Sequence, residues 1–214
     1  MLFRNRKEAA EMLIPYLDRY RNKNSIILAV PRGGIPVAYP IAKAYRWPLD
    51  LLMAKKIGHP THPEFAIGAV TLQDQIIDEG TGVPQSYINN EVDRIRKSLK
   101  DRYKQFTEGR KPIDLENKTI IIVDDGVATG NTILSAIKML RKRNPDKIVV
   151  AIPVAPWEAA EKIRSQVDDF ICLYTPQPFI GVGTHYTDFT QVSDEMVIEL
   201  LRNADHFKTA SEKK

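Results

Sequence analysis

Short apolar runs alternate along the chain with segments that place an apolar residue every three or four positions. SIILAV (25–30), LDLLMA (49–54) and the stretches 119–124, 147–153 and 169–174 are nearly unbroken apolar runs and read as strands buried on both faces. Between them, Val37, Ile41, Ala42 and Tyr45 follow helical spacing, and further helices are expected over about 130–143 and 157–166. A final helix over about 193–203 is announced by Ser193–Asp194–Glu195, and a first one by Asn5 with Glu8 in capping-box spacing. Leu13, Leu17 and Tyr20 continue that first helix, with a kink expected at Pro15.

One region breaks the alternation. FAIGAV (65–70) and QII (75–77) read as a hairpin, followed by an uninterrupted helix over 85–108 with Val92, Ile95, Leu99, Tyr103 and Phe106 on one face. The expectation is therefore an α/β fold: a mainly parallel central sheet with helices on both faces, plus a hairpin and helix insertion and a small hood. We expect one domain over 1–203, with the insertion at about 71–110 as a lid, hood elements at about 175–191, and a polar tail over 204–214. Ligands of such sheets bind at the carboxyl ends of the strands, which directs attention to 31–36, 55–64, 124–132 and 175–191.

Composition narrows the partners. The net charge of +4 arises from 31 basic against 27 acidic residues, a slight imbalance without a basic tail, so neither nucleic acid nor membrane is expected as a partner. No apolar stretch reaches the roughly 18 residues of a membrane span, and Cys172, the sole cysteine, sits in the apolar run FICLY as an inert thiol, which suits a cytoplasmic protein.

The chemistry concentrates in IIIVDDGVATGNT (120–132). Gly126 and Gly130 let the backbone turn tightly, and a helix starting near Gly130 points unpaired N–H groups at the loop, which makes a phosphate cradle. Thr129, Asn131 and Thr132 add donors, and no acidic residue intrudes between Gly126 and Thr132. Asp124 and Asp125 can only accept hydrogen bonds when ionised, so they suit the vicinal hydroxyls of a ribose or the water shell of Mg²⁺. A ribose 5-phosphate carries both groups. A nucleotidase reading fails because no G-x-x-x-x-G-K-[ST] occurs, and a receiver-domain reading fails because 123 residues precede the pair. Upstream, Arg32 beside Gly33 and Gly34 forms a second anion site at a strand end.

VDDGVATGNT resembles the signature of the type I phosphoribosyltransferases, and PRGGIPVA, AKKIG, PEFAIGAV and FIGVGTHYTDFTQVSDE resemble segments of a bacterial and archaeal subgroup of them. The resemblance implies transfer of ribose 5-phosphate from 5-phosphoribosyl 1-diphosphate to a nitrogen acceptor, a nucleobase or related amine, with Mg²⁺ held by Asp124 and Asp125 through water or substrate. It implies that Asp124 and Asp125 hold the ribose hydroxyls and that Gly126, Val127, Ala128, Thr129, Gly130, Asn131 and Thr132 hold the 5-phosphate. It further implies a diphosphate loop at Pro31, Arg32, Gly33 and Gly34, with Lys55 or Lys56 as the basic residue after the next strand. Ala128 stands where enzymes for 6-oxopurines carry an acid, which speaks against hypoxanthine or guanine. Phe179 and Tyr186 of the hood are candidates to stack on a planar base; Asp188 could orient an amine or cap the chain. His59 and His62 lack a third ligand for zinc. A homo-oligomer is compatible with this reading. The alternative function is a non-catalytic regulator that binds the same donor.

Overall fold

The computed structural model describes residues 2–207. Five strands, β1 (Ser25–Ala29), β2 (Leu49–Leu51), β6 (Thr119–Val123), β7 (Lys147–Val154) and β8 (Asp169–Tyr174), form a parallel sheet in the order β2-β1-β6-β7-β8. Every residue of β1, β2 and β6 is buried, which is why their sequences carry continuous apolar runs and not an alternating pattern.

Alternate side chains of these strands feed two cores. Ile27, Ala29, Ile121 and Val123 meet the helices α1 (Arg6–Leu13), α2 (Gly34–Tyr45) and α6 (Asp194–Asp205); Ile26, Leu28, Ile120 and Ile122 meet α4 (Asn131–Arg141) and α5 (Trp157–Arg164). Asn5 caps α1 by accepting from Glu8 N–H at 3.0 Å, but the Glu8 carboxylate turns to Arg4, so only half of the capping box forms. At Pro15 the chain tightens from α1 into a 3-10 helix over Ile14–Tyr20.

The run 49–54 is not one strand. It leaves the parallel sheet after Leu51 and enters a second, antiparallel sheet of β3 (Ala54–Gly58), β4 (Ala66–Thr71) and β5 (Gln75–Ile77). Residues 55–58, expected in a loop, are therefore strand. The long helix α3 (Gln85–Thr107) buries Val92, Ile95, Leu99, Tyr103 and Phe106 in a cluster shared with Ile57, Ile67 and Val70 of this second sheet. Tyr103 Oη also donates to both oxygens of buried Asp50 in β2, at 2.9 and 3.2 Å, tying α3 to the main sheet. The expected tail begins later than 204: α6 runs to Asp205 with Ala204 buried, and positions 208–214 lie outside the described residues. No helix among the described residues is long and apolar enough to cross a membrane. Cys172 is partly buried, and burial pushes its thiol pKa up.

Candidate active site

The strand order reverses direction between β1 and β6, and their carboxyl ends lie side by side: Ala29 pairs with Val123, and Val30 N–H donates to Val123 O at 2.9 Å. A crevice at such a reversal is where sheets of this kind bind ligands. Here it opens as a cleft of about 570 Å³ bounded by Pro31 and Arg32 on one side and by Asp124 and Gly126–Thr132 on the other. The two loops interlock. A Cβ on Gly33 would stand 2.0 Å from Asp125 Oδ2, and one on Gly34 would stand 2.7 Å from Val123 O, so glycine at both positions is what lets the loops touch. The Pro31–Arg32 peptide is cis.

Beyond the aspartates the chain turns into α4. Val127 N–H is used up by Val154 O at 2.9 Å, and Gly130 adopts φ +76°, the left-handed conformation that sends the chain into the helix. Among the described residues, the N–H groups of Ala128 to Ile133 donate to no protein acceptor; the first main-chain bond of the turn is Leu134 N–H to Gly130 O at 2.8 Å. Open donors at a helix N-terminus, with the hydroxyls of exposed Thr129 and Thr132 beside them, form an anion-binding turn.

The aspartates divide their duties. Asp124 lies half-buried on the floor of the cleft, where one oxygen accepts from Asp125 N–H at 2.8 Å. Asp125 points away from the cleft, buried, and its carboxylate receives Arg6 Nε at 2.8 Å. Arg6 was not anticipated from the sequence. It also donates to Thr190 O at 2.9 Å and lies 3.9 Å over the Phe189 ring, so it locks α1 to the end of the hood. Burial, and then the neighbouring Asp125 charge, push the Asp124 pKa well above the ordinary carboxylate range; burial raises Asp125 too, against the opposing pull of Arg6.

Other expected residues fall elsewhere. Lys55 and Lys56 are exposed on β3 and outside the cleft, because the chain has already entered the second sheet; Lys56 pairs with Glu64 at 3.2 Å. Tyr186 cannot stack on a ligand as placed: its ring is buried, with Phe3 at 5.3 Å and Phe189 at 5.0 Å, and its hydroxyl donates to Asp125 O at 2.6 Å. Phe179 stacks on His185 and does not line the cleft. Asp188 accepts from Thr190 N–H and Oγ1, the capping alternative. In their place the cleft gains Leu52, Met53, Leu99 and Arg102, the last two contributed by α3.

The family described as "Phosphoribosyl transferase domain" matches residues 2–188. The chain belongs to this phosphoribosyltransferase family. A Mycobacterium tuberculosis protein, provisionally named a phosphoribosyl transferase, is 35% identical over 209 residues, covering 95% of this chain and 47% of its own length. The chain thus spans about half the length of the curated relatives it matches first. The crystal structure of the protein TT1426 from Thermus thermophilus aligns at 33% identity with a TM-score of 0.86, covering 95% of this chain and 99% of that one. A Neisseria gonorrhoeae protein crystallised with bound ppGpp shares the fold at 14% identity and a TM-score of 0.51, covering 94% of this chain and 96% of that one. The phosphoribosyltransferase match stops at residue 188, short of α6, whose first residue reaches the cleft arginines.

Proposed function

We propose that this phosphoribosyltransferase domain transfers ribose 5-phosphate from 5-phosphoribosyl 1-diphosphate to a nitrogen acceptor and releases diphosphate. The observation that carries the reading is the row of N–H groups from Ala128 to Ile133 that, among the described residues, have no protein acceptor and belong to residues lining the same cleft as Asp124 and Arg32. The turn supplies a seat for the 5-phosphate and Asp124 an acceptor for the ribose hydroxyls, while Arg32 offers planar donors to the diphosphate. In the transfer, the bond from the anomeric carbon to the diphosphate oxygen breaks as the acceptor nitrogen's lone pair forms the new C–N bond, and positive charge builds on the ring in between. Fixed donors at the diphosphate stabilise the charge that collects there; removing one such donor commonly costs about 3 kcal/mol of barrier.

Mg²⁺ supplies charge neutralisation when it accompanies the diphosphate. Among the described residues no cluster of three His, Cys, Asp or Glu could hold a metal by itself, and Asp125 is committed to Arg6. Among the described residues lining the cleft Asp124 is the one carboxylate, and it is the residue that would hold the ion. Leu52, Met53 and Leu99 give the acceptor an apolar wall, and a nucleobase or related amine is the acceptor class we favour.

Incubating the protein with donor, Mg²⁺ and a panel of nucleobases and small amines while following diphosphate release tests the reading. Acceptor-dependent release is the expected result. Release that ignores the acceptor means hydrolysis, and saturable donor binding without release means a regulator; either would replace the proposal.

A further inference from the structure

We infer that Arg102, on α3, joins Arg32 in gripping the diphosphate of the donor, and that Asp194 is the resident counter-ion which the diphosphate displaces. The inference rests on the donor assignment proposed above. Both arginines line the cleft, although they come from segments 70 residues apart in sequence. Arg32 Nη1 and Arg102 Nη2 converge on one oxygen, Asp194 Oδ1, at 3.1 and 2.9 Å, while Gln105 Nε2 lies 3.4 Å from the other oxygen. Two guanidinium groups converging on a single anionic oxygen mark out a position that an oxygen of diphosphate can take over, with Arg geometry suited to bridging two phosphoryl groups.

Exposure decides whether the exchange is feasible. The side chains are 33% exposed for Arg32, 45% for Arg102 and 24% for Asp194, so these pairs are partly solvated, screened and weak, and a more highly charged anion competes well for them. The Arg102 guanidinium lies 4.9 Å over the Phe106 ring, whose buried position holds it at the cleft wall when the carboxylate leaves. Asp194 is the first residue of α6 and sits on a helix capped by Ser193, which accepts from Met196 N–H at 3.2 Å, so its position is fixed by the fold and not by the arginines. This arrangement supplies the second cation beside Arg32 without Lys55 or Lys56, both outside the cleft.

Calorimetric titration of the protein with inorganic diphosphate and Mg²⁺, and separately with ribose 5-phosphate, tests this. Arg102→Ala should weaken diphosphate roughly tenfold to a hundredfold and leave ribose 5-phosphate unchanged, and Arg102→Lys, which keeps charge but not the planar fork, should fall between. Asp194→Asn should tighten diphosphate several-fold by removing the competing anion. Unaltered diphosphate affinity in Arg102→Ala overturns the inference while leaving the donor assignment standing. Weaker diphosphate binding in Asp194→Asn overturns the counter-ion role. A wild-type protein that binds neither compound removes both readings together.

Discussion

One wall of the cleft, where β6 ends, presents main-chain N–H groups and a half-buried carboxylate; another, formed by α3, presents the guanidinium of Arg102. The first wall is positioned by fully buried strands and by loops in van der Waals contact, so its donors are fixed before any ligand arrives. On the second, α3 is held by its buried face, but the Arg102 guanidinium it carries is paired with Asp194 in a partly exposed contact that solvent and salt can loosen. The division suits a site that must hold one end of a substrate rigidly while letting another end leave.

The largest expected effect falls on the anchor of the rigid wall. Arg6→Ala leaves the Asp125 carboxylate buried without its partner, and truncating one side of such a pair costs about 3–5 kcal/mol. Denaturant midpoints should show the loss, with part of it recovered in mild acid as the carboxyl takes up a proton. An unchanged midpoint would mean that the rigid wall does not depend on this pair.

Gly33→Ala follows. Its methyl group would meet Asp125 Oδ2 at 2.0 Å, so the loops must part, at a stability cost of about 1–3 kcal/mol for overpacking and with loss of ribose 5-phosphate binding. Retained binding in a calorimetric titration would show that the interlock is dispensable.

A smaller effect has the opposite sign. Burial holds the Asp124 and Asp125 carboxyls above their ordinary value of 3.8, so the folded protein keeps protons that the unfolded chain has already released. That contribution to stability is present in acid and is lost as pH rises from about the ordinary value through the raised one. Asp124→Asn preserves the oxygen that accepts from Asp125 N–H, removes the buried charge, and should stabilise the protein by about 0.5–2 kcal/mol at neutral pH while weakening ribose 5-phosphate. Melting curves across mildly acidic and neutral pH should show a flatter profile than wild type; destabilisation at neutral pH would contradict the assigned cause. Lys56→Ala should change neither the melting midpoint nor ligand binding, since its pair with Glu64 is exposed and outside the cleft. A drop in diphosphate affinity there would return the lysine to the site.

What could be read in the sequence follows the same division. β1, β6 and β7 show as apolar runs because burial on both faces leaves no room for polar side chains, and the Asp124–Thr132 turn shows because its residues are contiguous. The boundary inside LDLLMA is invisible, since an apolar run looks the same whether the chain stays in one sheet or crosses to another; the misplacement of Lys55 and Lys56 follows directly. Arg6 and Asp125 are 119 positions apart, and no local periodicity connects them. Asp194 signals only a helix start, because Arg32 and Arg102 approach it through tertiary packing. Tyr186 carries both a ring to bury and a hydroxyl to satisfy, and the fold uses it for both.

The contact between Gly33–Gly34 and Val123–Asp125 also bears on redesign. Because the backbone that would seat the leaving group and the backbone that would seat the sugar share one surface with no atom to spare, neither can be re-engineered alone. Variation has its freedom in the exposed side chains of α3, where a changed residue need not move a neighbouring loop.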